Sequence, residues 1–337
     1  MKRYTKLSNA VSVVVLIAFM LAIAIATFLN NYDREKNATD ALKQLNKNSV
    51  YNFLLLGRDD AAKLCDVIIL ASINVDNGDV NIMQIPRDTY FECNGASYKR
   101  INGVYNSLGS ASDVSNMLSS TLGIKIDYYL SLDLKAVESI IDDIGGIEMD
   151  IPFDMDYDDP DQGLSIHLKA GKEKLDGKSA IEFLRYRAGY ITGDLGRIDA
   201  QKIFLNAFAK KMSEIRDPFA LYNVFKMICE RSENNLKISE IVSIGLKCAK
   251  LKDGTVFYMT APGEAIQSQN SGAWYYILSE PSMSEILDAR FDSKEKFDKE
   301  NKFVDNGNKS FYDIYNKNCG IKIYTADDIE NNKININ

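Results

Sequence analysis

The chain has 337 residues and a formal net charge of −7, and 46% of its residues are hydrophobic. This composition is typical of a globular protein and excludes a low-complexity or disordered chain. The net acidity and the lack of a basic stripe argue against nucleic acid as the main partner, because a duplex binder needs a dominant basic surface.

Near the amino terminus, residues 10–29 form an uncharged, apolar run. Twenty helical residues span about 30 Å, the thickness of the hydrocarbon core of a bilayer. Basic residues precede the run, so we expect the amino terminus on the cytoplasmic side. A signal peptide cleaved near Ala24 and Ala26 is the alternative. We predict a cytoplasmic segment at 1–9, a transmembrane anchor at 10–30, a juxtamembrane spacer at 31–49 and an extracytoplasmic remainder.

Strand and helix patterns alternate after the spacer. Strands are predicted at 52–57, 66–75, 80–86, 128–133, 147–152, 255–262 and 273–278, with a hairpin turn at 76–79. Helices are predicted at 112–122, 134–144, 195–212, 217–231, 238–251 and 283–291. This order indicates an α/β protein, an αβα layered domain with a central mixed β-sheet over residues 50–292. The polar C-terminal tail, 293–337, is predicted to pack loosely, with a small edge element at 321–325.

An aspartate-rich segment, FDMDYDDPDQG (153–163), begins like a calcium-binding EF-hand loop. The sixth position of that loop should be glycine and is Asp159, and the twelfth should be glutamate and is Ser165. We therefore predict a solvated surface loop. The only histidine, His167, follows in an alternating stretch and is predicted to be an ordinary strand residue. The five cysteines do not indicate a disulfide pair.

Three arginines are gathered in FLRYRAGYITGDLGRIDAQK (183–202), in a chain that uses lysine more often. We predict that Arg185 and Arg187 share one face of a strand. Arg197 and Gln201 are predicted to share one side of a helix near its amino end. Guanidinium groups and free N–H groups at a helix start favour an anion with several oxygens. In the alternative, Asp194 caps the helix and the arginines pair with carboxylates of the same segment.

Further charged residues lie at or just beyond the ends of predicted strands, where α/β sheets tend to bind ligands. They are Asp59, Asp66, Arg87, Asp88 and Arg100. Carboxylate oxygens at such positions suit Mg²⁺, which binds through one or two carboxylates and substrate phosphates. A divalent cation and several arginines around a diphosphate indicate phosphoryl transfer.

The motifs that carry these residues occur in a specific order: NFLLLGRDD, IPRDT, RINGVY, LDGKSAIEFLRYR and GDLGRIDAQK. In this order they resemble the LytR-CpsA-Psr family of cell-wall ligases over residues 50–292. The resemblance implies a membrane-anchored enzyme on the outer face of a Gram-positive cell membrane. It would transfer a phosphoglycan, such as teichoic acid or capsule, from an undecaprenyl-diphosphate lipid to N-acetylmuramic acid of peptidoglycan, and release undecaprenyl phosphate.

The resemblance also implies a role for each candidate residue. Asp59 and Asp66 would hold Mg²⁺. Asp88 and Asp194 would orient arginines or activate the acceptor hydroxyl, and together with Arg87 and Arg197 they form the implied catalytic set. The residues implied to bind the diphosphate are Arg87, Arg100, Arg185, Arg187, Arg197 and Gln201. The lipid would lie in an apolar tunnel between sheet and helices, with candidate linings Ile140, Ile144, Phe204 and Phe208.

Three positions depart from the usual family pattern. Leu64 and Ala200 stand where arginine is usual, and Gly103 stands where histidine is usual. These departures keep open a second hypothesis, a non-catalytic sensor of lipid diphosphates or an envelope regulator. A third hypothesis is a structural envelope protein whose arginines form internal salt bridges.

Overall fold

The computed structural model describes residues 49–59, 64–93, 99–160, 164–215, 217–237, 240–241, 243–244, 247, 254–269, 271–331 and 333–334. The predicted transmembrane anchor, the segment before it and nearly all of the spacer lie outside these residues. No helix within the described part is long and apolar enough to cross a membrane.

A seven-stranded mixed sheet forms the centre of the fold. The strands of the described residues are β1 (Val50–Asp59), β2 (Leu64–Asn74), β3 (Val80–Gln84), β4 (Tyr128–Asp133), β5 (Ile147–Ile151), β6 (Met155–Asp159), β7 (Leu164–Leu168), β8 (Gly171–Leu175), β9 (Glu233–Asn234), β10 (Val256–Thr260), β11 (Gly263–Gln267), β12 (Trp274–Leu278) and β13 (Ile323–Thr325). The order in the central sheet is β13-β10-β3-β2-β1-β4-β9. The predicted α/β fold with a central mixed sheet is confirmed.

Strand direction places several chain ends at one edge of this sheet. β1 is parallel to β4, β3 is parallel to β10, and β2 is antiparallel to both β1 and β3. The carboxyl ends of β1, β3, β4 and β10 therefore meet the amino end of β2 at a common edge. The remaining strand pairs of the described residues are antiparallel: β4 with β9, β10 with β13, β5 with β8, β6 with β7, and β11 with β12.

Helices cover both faces of the sheet. The helices that the structure describes from end to end are α1 (Val104–Leu108), α2 (Ala111–Leu122), α3 (Leu134–Asp143), α4 (Gly177–Arg185), α5 (Asp194–Glu214), α6 (Pro218–Glu230), α7 (Glu280–Arg290), α8 (Lys309–Tyr315) and α9 (Ala326–Glu330). Side chains alternate along β1, so Phe53 packs with α3, α4, α5 and α6 in one core, and Leu54 packs with α2 and α7 in a second. Two cores on opposite faces give the layered architecture.

The stretch around Arg185 and Arg187 is the end of a helix, and the predicted strand there is wrong. The Asp176 side chain accepts a hydrogen bond from the backbone N–H of Ser179 and caps the start of α4, whose buried residues include Ala180 and Phe183 at helical spacing. The backbone becomes extended only at Tyr186, with φ −59° and ψ 139°. Arg185 and Arg187 therefore share no strand face.

The aspartate-rich segment is also different from its prediction. Residues of the predicted loop form strand β6, in which Met155 is buried while Asp156 and Asp158 are exposed. Aspartate is disfavoured in strands, and this composition concealed the alternating pattern. The prediction for His167 is confirmed, because it lies in β7 directly opposite Asp156.

The chain after Asp292 packs against the domain, so the expected loose packing is wrong. Its buried side chains include Phe297, Phe303, Phe311 and Tyr315. These aromatic residues occur without a regular period among polar ones, so the sequence pattern did not reveal them. The predicted edge element is confirmed, because β13 pairs with β10 at the border of the sheet.

Candidate active site

Arginines and aspartates from distant segments meet at the common edge of the sheet. Arg87 follows β3, and its Nη1 lies 2.5 Å from Oδ1 of Asp66, near the start of β2. The Arg87 Nε lies 3.5 Å from Oδ1 of Asp194, the first residue of α5. The loop after β3 is thereby tied to both a neighbouring strand and a helix start.

Asp194 is the centre of this cluster. Its Oδ1 lies 2.9 Å from Arg187 Nη2 and 3.0 Å from Arg197 Nη2, in addition to Arg87. Gly193, whose φ of 60° favours glycine, is the N-cap residue of α5, so the capping role that the alternative interpretation gives to Asp194 is wrong. The pairing of arginines with a carboxylate of the same segment, which was the alternative interpretation, is present. It coexists with the convergence of Arg87 from β3.

The two innermost arginines differ in what controls their pKa. Burial lowers the pKa of the Arg197 guanidinium, although Asp194 opposes this effect. Burial also lowers the pKa of Arg87, but Asp66 and Asp194 outweigh it and the pKa rises above its ordinary value. Arginine stays protonated in either case. The buried Nε atoms of Arg87 and Arg197 have no hydrogen-bond acceptor among the described residues, although Arg87 Nε lies within ion-pair distance of Asp194.

Asp88 lies beside this cluster and contacts both Arg87, at 4.0 Å, and Arg100. Its Oδ1 is 3.1 Å from Arg100 Nη1, and its backbone carbonyl accepts a 3.0 Å hydrogen bond from Tyr276 N–H. Burial raises the pKa of the Asp88 carboxyl, with Arg100 and Arg87 opposing the rise. A carboxylate with a raised pKa is a better proton acceptor at neutral pH. These contacts join four arginines to three aspartates, so the residues of the cluster together carry one net positive charge. The arginines are Arg87, Arg100, Arg187 and Arg197, and the aspartates are Asp66, Asp88 and Asp194.

Asp59 and Asp66 stand on neighbouring strands at the same edge. The β1–β2 register shifts between Gly57 and Arg58, and Asp66 is left without a cross-strand partner, as in a β-bulge. Such bulges redirect a side chain, here toward Arg87. No group of three or more candidate metal ligands occurs within the described ranges. Two carboxylates alone would suit Mg²⁺, which completes its coordination with water and substrate phosphates.

Gln201 lies one turn after Arg197 on α5 and is buried. Its Oε1 accepts a hydrogen bond from Nε2 of Gln84, the last residue of β3. Sequence reasoning missed Gln84. The available signal was a glutamine in an apolar strand, because all five residues of β3 are buried.

An apolar cavity of about 160 Å³ adjoins the charged cluster. It lies between β1, β2 and β4 on one side and α3, α4, α5 and α6 on the other. Gln201 is the one polar side chain in its lining, and Ile140, Phe204 and Phe208 line it as predicted, whereas Ile144 does not. Gln201, which lies one turn after Arg197 on α5, therefore connects the charged cluster to the wall of the cavity.

Two candidate residues differ in their contacts. Arg187 is half exposed and reaches Asp194. Arg185, the last residue of α4, is partly buried. The structure brings together Arg87, Asp88, Asp66, Arg100, Arg187, Asp194, Arg197 and Gln201. The part played by Arg185 stays a prediction, as do the metal-binding roles of Asp59 and Asp66.

The departures from the usual motif add no charge to the cluster. Leu64 is the first residue of β2 and pairs with Asp59. Ala200 is buried in the core, and Gly103 ends a short 3₁₀ helix at Ile101–Gly103. The positive charge of the cluster therefore depends on the arginines that converge on Asp194 and Asp88.

Comparison with known proteins gives matches over most of the chain. The model of the LytR_cpsA_psr family matches residues 17–292. The polyisoprenyl-teichoic acid–peptidoglycan teichoic acid transferase TagV of Bacillus subtilis is 30% identical over 252 residues, which cover 67% of this chain and 64% of TagV. The aligned part thus spans just under two thirds of that relative. The TagU transferase of Oceanobacillus iheyensis is 26% identical over 266 residues, covering 75% of this chain and 78% of TagU.

The fold also matches a solved structure. The crystal structure of B. subtilis TagV superposes with a TM-score of 0.60 at 24% identity, and the match covers 72% of this chain and 96% of that chain. The agreement extends to nearly the whole of the TagV domain, so the two proteins share their architecture.

Proposed function

The chain belongs to the LytR_cpsA_psr family, and from this premise we propose that it is a glycopolymer transferase of the cell wall. It transfers a phosphoglycan, of the teichoic acid or capsule kind, from an undecaprenyl-diphosphate lipid to peptidoglycan. TagV and TagU are named as transferases of teichoic acid between a polyisoprenyl carrier and peptidoglycan, which supports an enzyme over a non-catalytic sensor.

One observation carries the proposal: the arginine cluster and the apolar cavity are joined along α5. Arg197 belongs to the cluster, and Gln201, one turn later, belongs to the cavity wall. A ligand with an anionic head and an apolar tail would satisfy both, and a lipid diphosphate is such a ligand. The cavity is smaller than the usual pocket for a drug-sized molecule, so it holds the part of the lipid chain closest to the head.

The arginines hold and neutralise the diphosphate. Arg87, Arg187 and Arg197 already point toward one carboxylate oxygen of Asp194, so their N–H groups are oriented before a phosphate arrives. Preorganised donors need no rearrangement when negative charge develops in the transition state. Asp194 is thus a positioning residue that keeps the guanidinium groups together.

Asp88 is the acceptor of the proton. A sugar hydroxyl attacks the phosphorus next to the glycan, a new P–O bond forms, and the bond from that phosphorus to the bridging oxygen breaks. Undecaprenyl phosphate leaves with the bond electrons, and the hydroxyl proton passes to the Asp88 carboxylate. The raised pKa of Asp88 favours this role, whereas three arginines converge on one oxygen of Asp194.

Asp59 and Asp66 are the residues that would hold Mg²⁺, and the ion when bound supplies positive charge to the diphosphate. The Arg87 contact occupies one oxygen of Asp66 and leaves the other for a cation. The anchor at 10–30 keeps the domain at the outer face of the cytoplasmic membrane, where a lipid diphosphate presents its head. The metal-binding role of Asp59 and Asp66 and the membrane location thus complete the proposed function.

The experiment uses the full-length protein in detergent, a polyprenyl-diphosphate-linked glycan and soluble peptidoglycan strands. We expect release of polyprenyl phosphate together with a covalent glycan–peptidoglycan product. EDTA should stop both, and Mg²⁺ should restore them. Asp66→Asn should raise the Mg²⁺ concentration required for half-maximal rate. Binding of the lipid without release of polyprenyl phosphate would contradict the enzyme and favour the sensor. Activity that persists in EDTA would contradict the metal alone.

A further inference from the structure

The only tryptophan of the chain lies on the rim of the charged cluster. Trp274 begins β12, and 56% of its surface is exposed. Tryptophan is usually well buried, and exposed indole rings are enriched where proteins bind ligands and partners. Other large apolar residues are exposed as well, such as Phe219 on α6 and Tyr312 on α8. Exposure alone therefore decides nothing, and the position of Trp274 beside Arg100 and Asp88 carries the inference.

Hydrogen-bond and ion-pair contacts connect the backbone of Trp274 to Asp88 through Arg100. Arg100 donates a 2.7 Å hydrogen bond from Nη2 to the Trp274 carbonyl, while its Nη1 lies 3.1 Å from Asp88. The Arg100 guanidinium also lies over the ring of Tyr275, 5.3 Å from its centroid. Two residues along the strand, Tyr276 N–H donates to the Asp88 carbonyl. One arginine and one backbone bond thus fix the start of β12 beside the proposed proton acceptor.

The position of β12 relative to the cavity shows on which side of the proposed diphosphate site Trp274 lies. The cavity lies against β1, β2 and β4. The hydroxyl of Tyr276 bonds the carbonyl of Ala261, which follows β10, and β10 is on the other side of β3. Trp274 and the cavity therefore lie on opposite sides of the Arg87–Asp88 loop.

Phosphoryl transfer sets a requirement on the acceptor. The attacking and leaving oxygens are roughly in line across the phosphorus. Because the lipid phosphate leaves toward the cavity, the attacking hydroxyl must approach from the opposite side. In this structure that side carries Asp88, Arg100 and Trp274.

We propose that Trp274 and Arg100 form the acceptor subsite, which binds a pyranose ring of a peptidoglycan glycan strand. The indole stacks against the C–H face of the sugar, since the negative face of an aromatic ring attracts weakly positive hydrogens. Arg100 fixes the start of β12 and so the position of the ring, and the sugar hydroxyl lies next to Asp88. This inference rests on the proposed function and adds the location of the acceptor.

The single tryptophan supplies a direct test of binding. All tryptophan fluorescence of the full-length protein comes from Trp274. Titration with the disaccharide N-acetylglucosaminyl-N-acetylmuramic acid should change this fluorescence with saturation, and farnesyl diphosphate, which has no sugar, should not. No response to the disaccharide overturns the subsite. A response to the lipid-linked glycan alone overturns the acceptor assignment, because the donor sugar would then occupy the rim.

Product analysis provides the second test. Trp274→Ala should lower the ratio of peptidoglycan-linked product to hydrolysed product about 10-fold, which corresponds to about 1.4 kcal/mol. Trp274→Phe should keep most of the ratio, and the matched exposed-aromatic variant Tyr312→Ala should keep all of it. An unchanged ratio in Trp274→Ala overturns the subsite. If the wild-type protein releases no polyprenyl phosphate, the proposed function fails, and saturable disaccharide binding still upholds the sugar subsite.

Discussion

Two groups of charged residues in this protein are both rich in aspartate but differ in burial. The candidate active-site cluster contains Asp66, Asp88 and Asp194, whose side chains are between 21% and 31% exposed. The hairpin cluster, on β6, β7 and their flanks, contains Asp154, Asp156, Asp158, His167 and Lys169. Its three aspartates are between 56% and 76% exposed. The hairpin has the higher density of aspartate in sequence, yet the aspartates of the candidate active site are more buried and contact more arginines.

The difference arises from shared partners and low dielectric. In the candidate active site, one carboxylate oxygen of Asp194 contacts Arg87, Arg187 and Arg197, which come from two separate parts of the chain. In the hairpin, Asp154 meets Lys169 and Asp156 meets His167 as exposed pairs between the paired strands or their flanks. Exposed pairs are screened by water and salt, while partly buried charges interact strongly. Convergence of distant segments, rather than charge density, therefore indicates the functional cluster.

The largest expected contrast is in activity. Arg197→Ala removes a buried donor from the proposed diphosphate site and should lower the rate of polyprenyl phosphate release about 10²- to 10³-fold. Arg197→Lys keeps the charge but loses the two-pronged geometry, so it should recover only part of the rate. Lys169→Ala, which removes a cation from the hairpin cluster, should leave the rate unchanged. Equal rates for Arg197→Ala and Lys169→Ala, with both proteins folded, would contradict the assignment of the arginine cluster as the diphosphate site.

The next contrast is in stability. Asp194→Asn leaves Arg197 buried near Arg87 without its carboxylate, and it should lower the free energy of unfolding by about 1–3 kcal/mol. The matched hairpin variant, Asp156→Asn, changes an exposed pair and should stay within about 0.5 kcal/mol of the wild type. Urea denaturation at pH 7 measures both. A loss for Asp156→Asn as large as that for Asp194→Asn would mean that burial does not separate the two clusters.

Much of the fold and of the candidate site could be predicted from the sequence. Apolar β-branched runs predicted β1 to β4, and the charged residues just beyond them, such as Asp66 and Arg87, were expected to meet because strand ends share an edge. The start of α5 was predicted within one residue, at 195 against the observed Asp194. Local pattern was sufficient here because each element has a single clear period.

The rest depended on tertiary structure. The sequence FLRYR alternates like a strand, but the buried positions Ala180 and Phe183 continue α4 to Arg185. The bulge that redirects Asp66 leaves no local signal, and the hydrogen bond from Gln84 to Gln201 joins residues 117 positions apart. Trp274 reaches the site through Arg100, 174 positions away. Contacts at such separations are set by the whole fold rather than by neighbouring residues.

The smallest expected difference between the two clusters is in how an aspartate of each changes stability with pH, where the two signs are opposite. Burial raises the pKa of Asp88 in the folded protein, so the folded state binds this proton more tightly than the unfolded state does. The associated stability is present at low pH and is lost as the pH rises through the raised pKa. The side chain at position 88 cannot ionise in Asp88→Asn, so this variant does not lose the associated stability as the pH rises. Its thermal midpoint should therefore rise relative to the wild type between pH 3 and pH 7.

Asp154 should show the opposite sign. The backbone N–H of Ala170, followed by Lys169, lowers the pKa of Asp154, so its stabilisation is present above the unfolded pKa of about 3.9 and is lost as the pH falls. The midpoint of Asp154→Asn should then fall relative to the wild type between pH 3 and pH 7, and 0.5 M salt should shrink the effect because the pair is exposed. Thermal melts of both variants at pH 3, 5 and 7 would contradict the comparison if the two differences changed in the same direction.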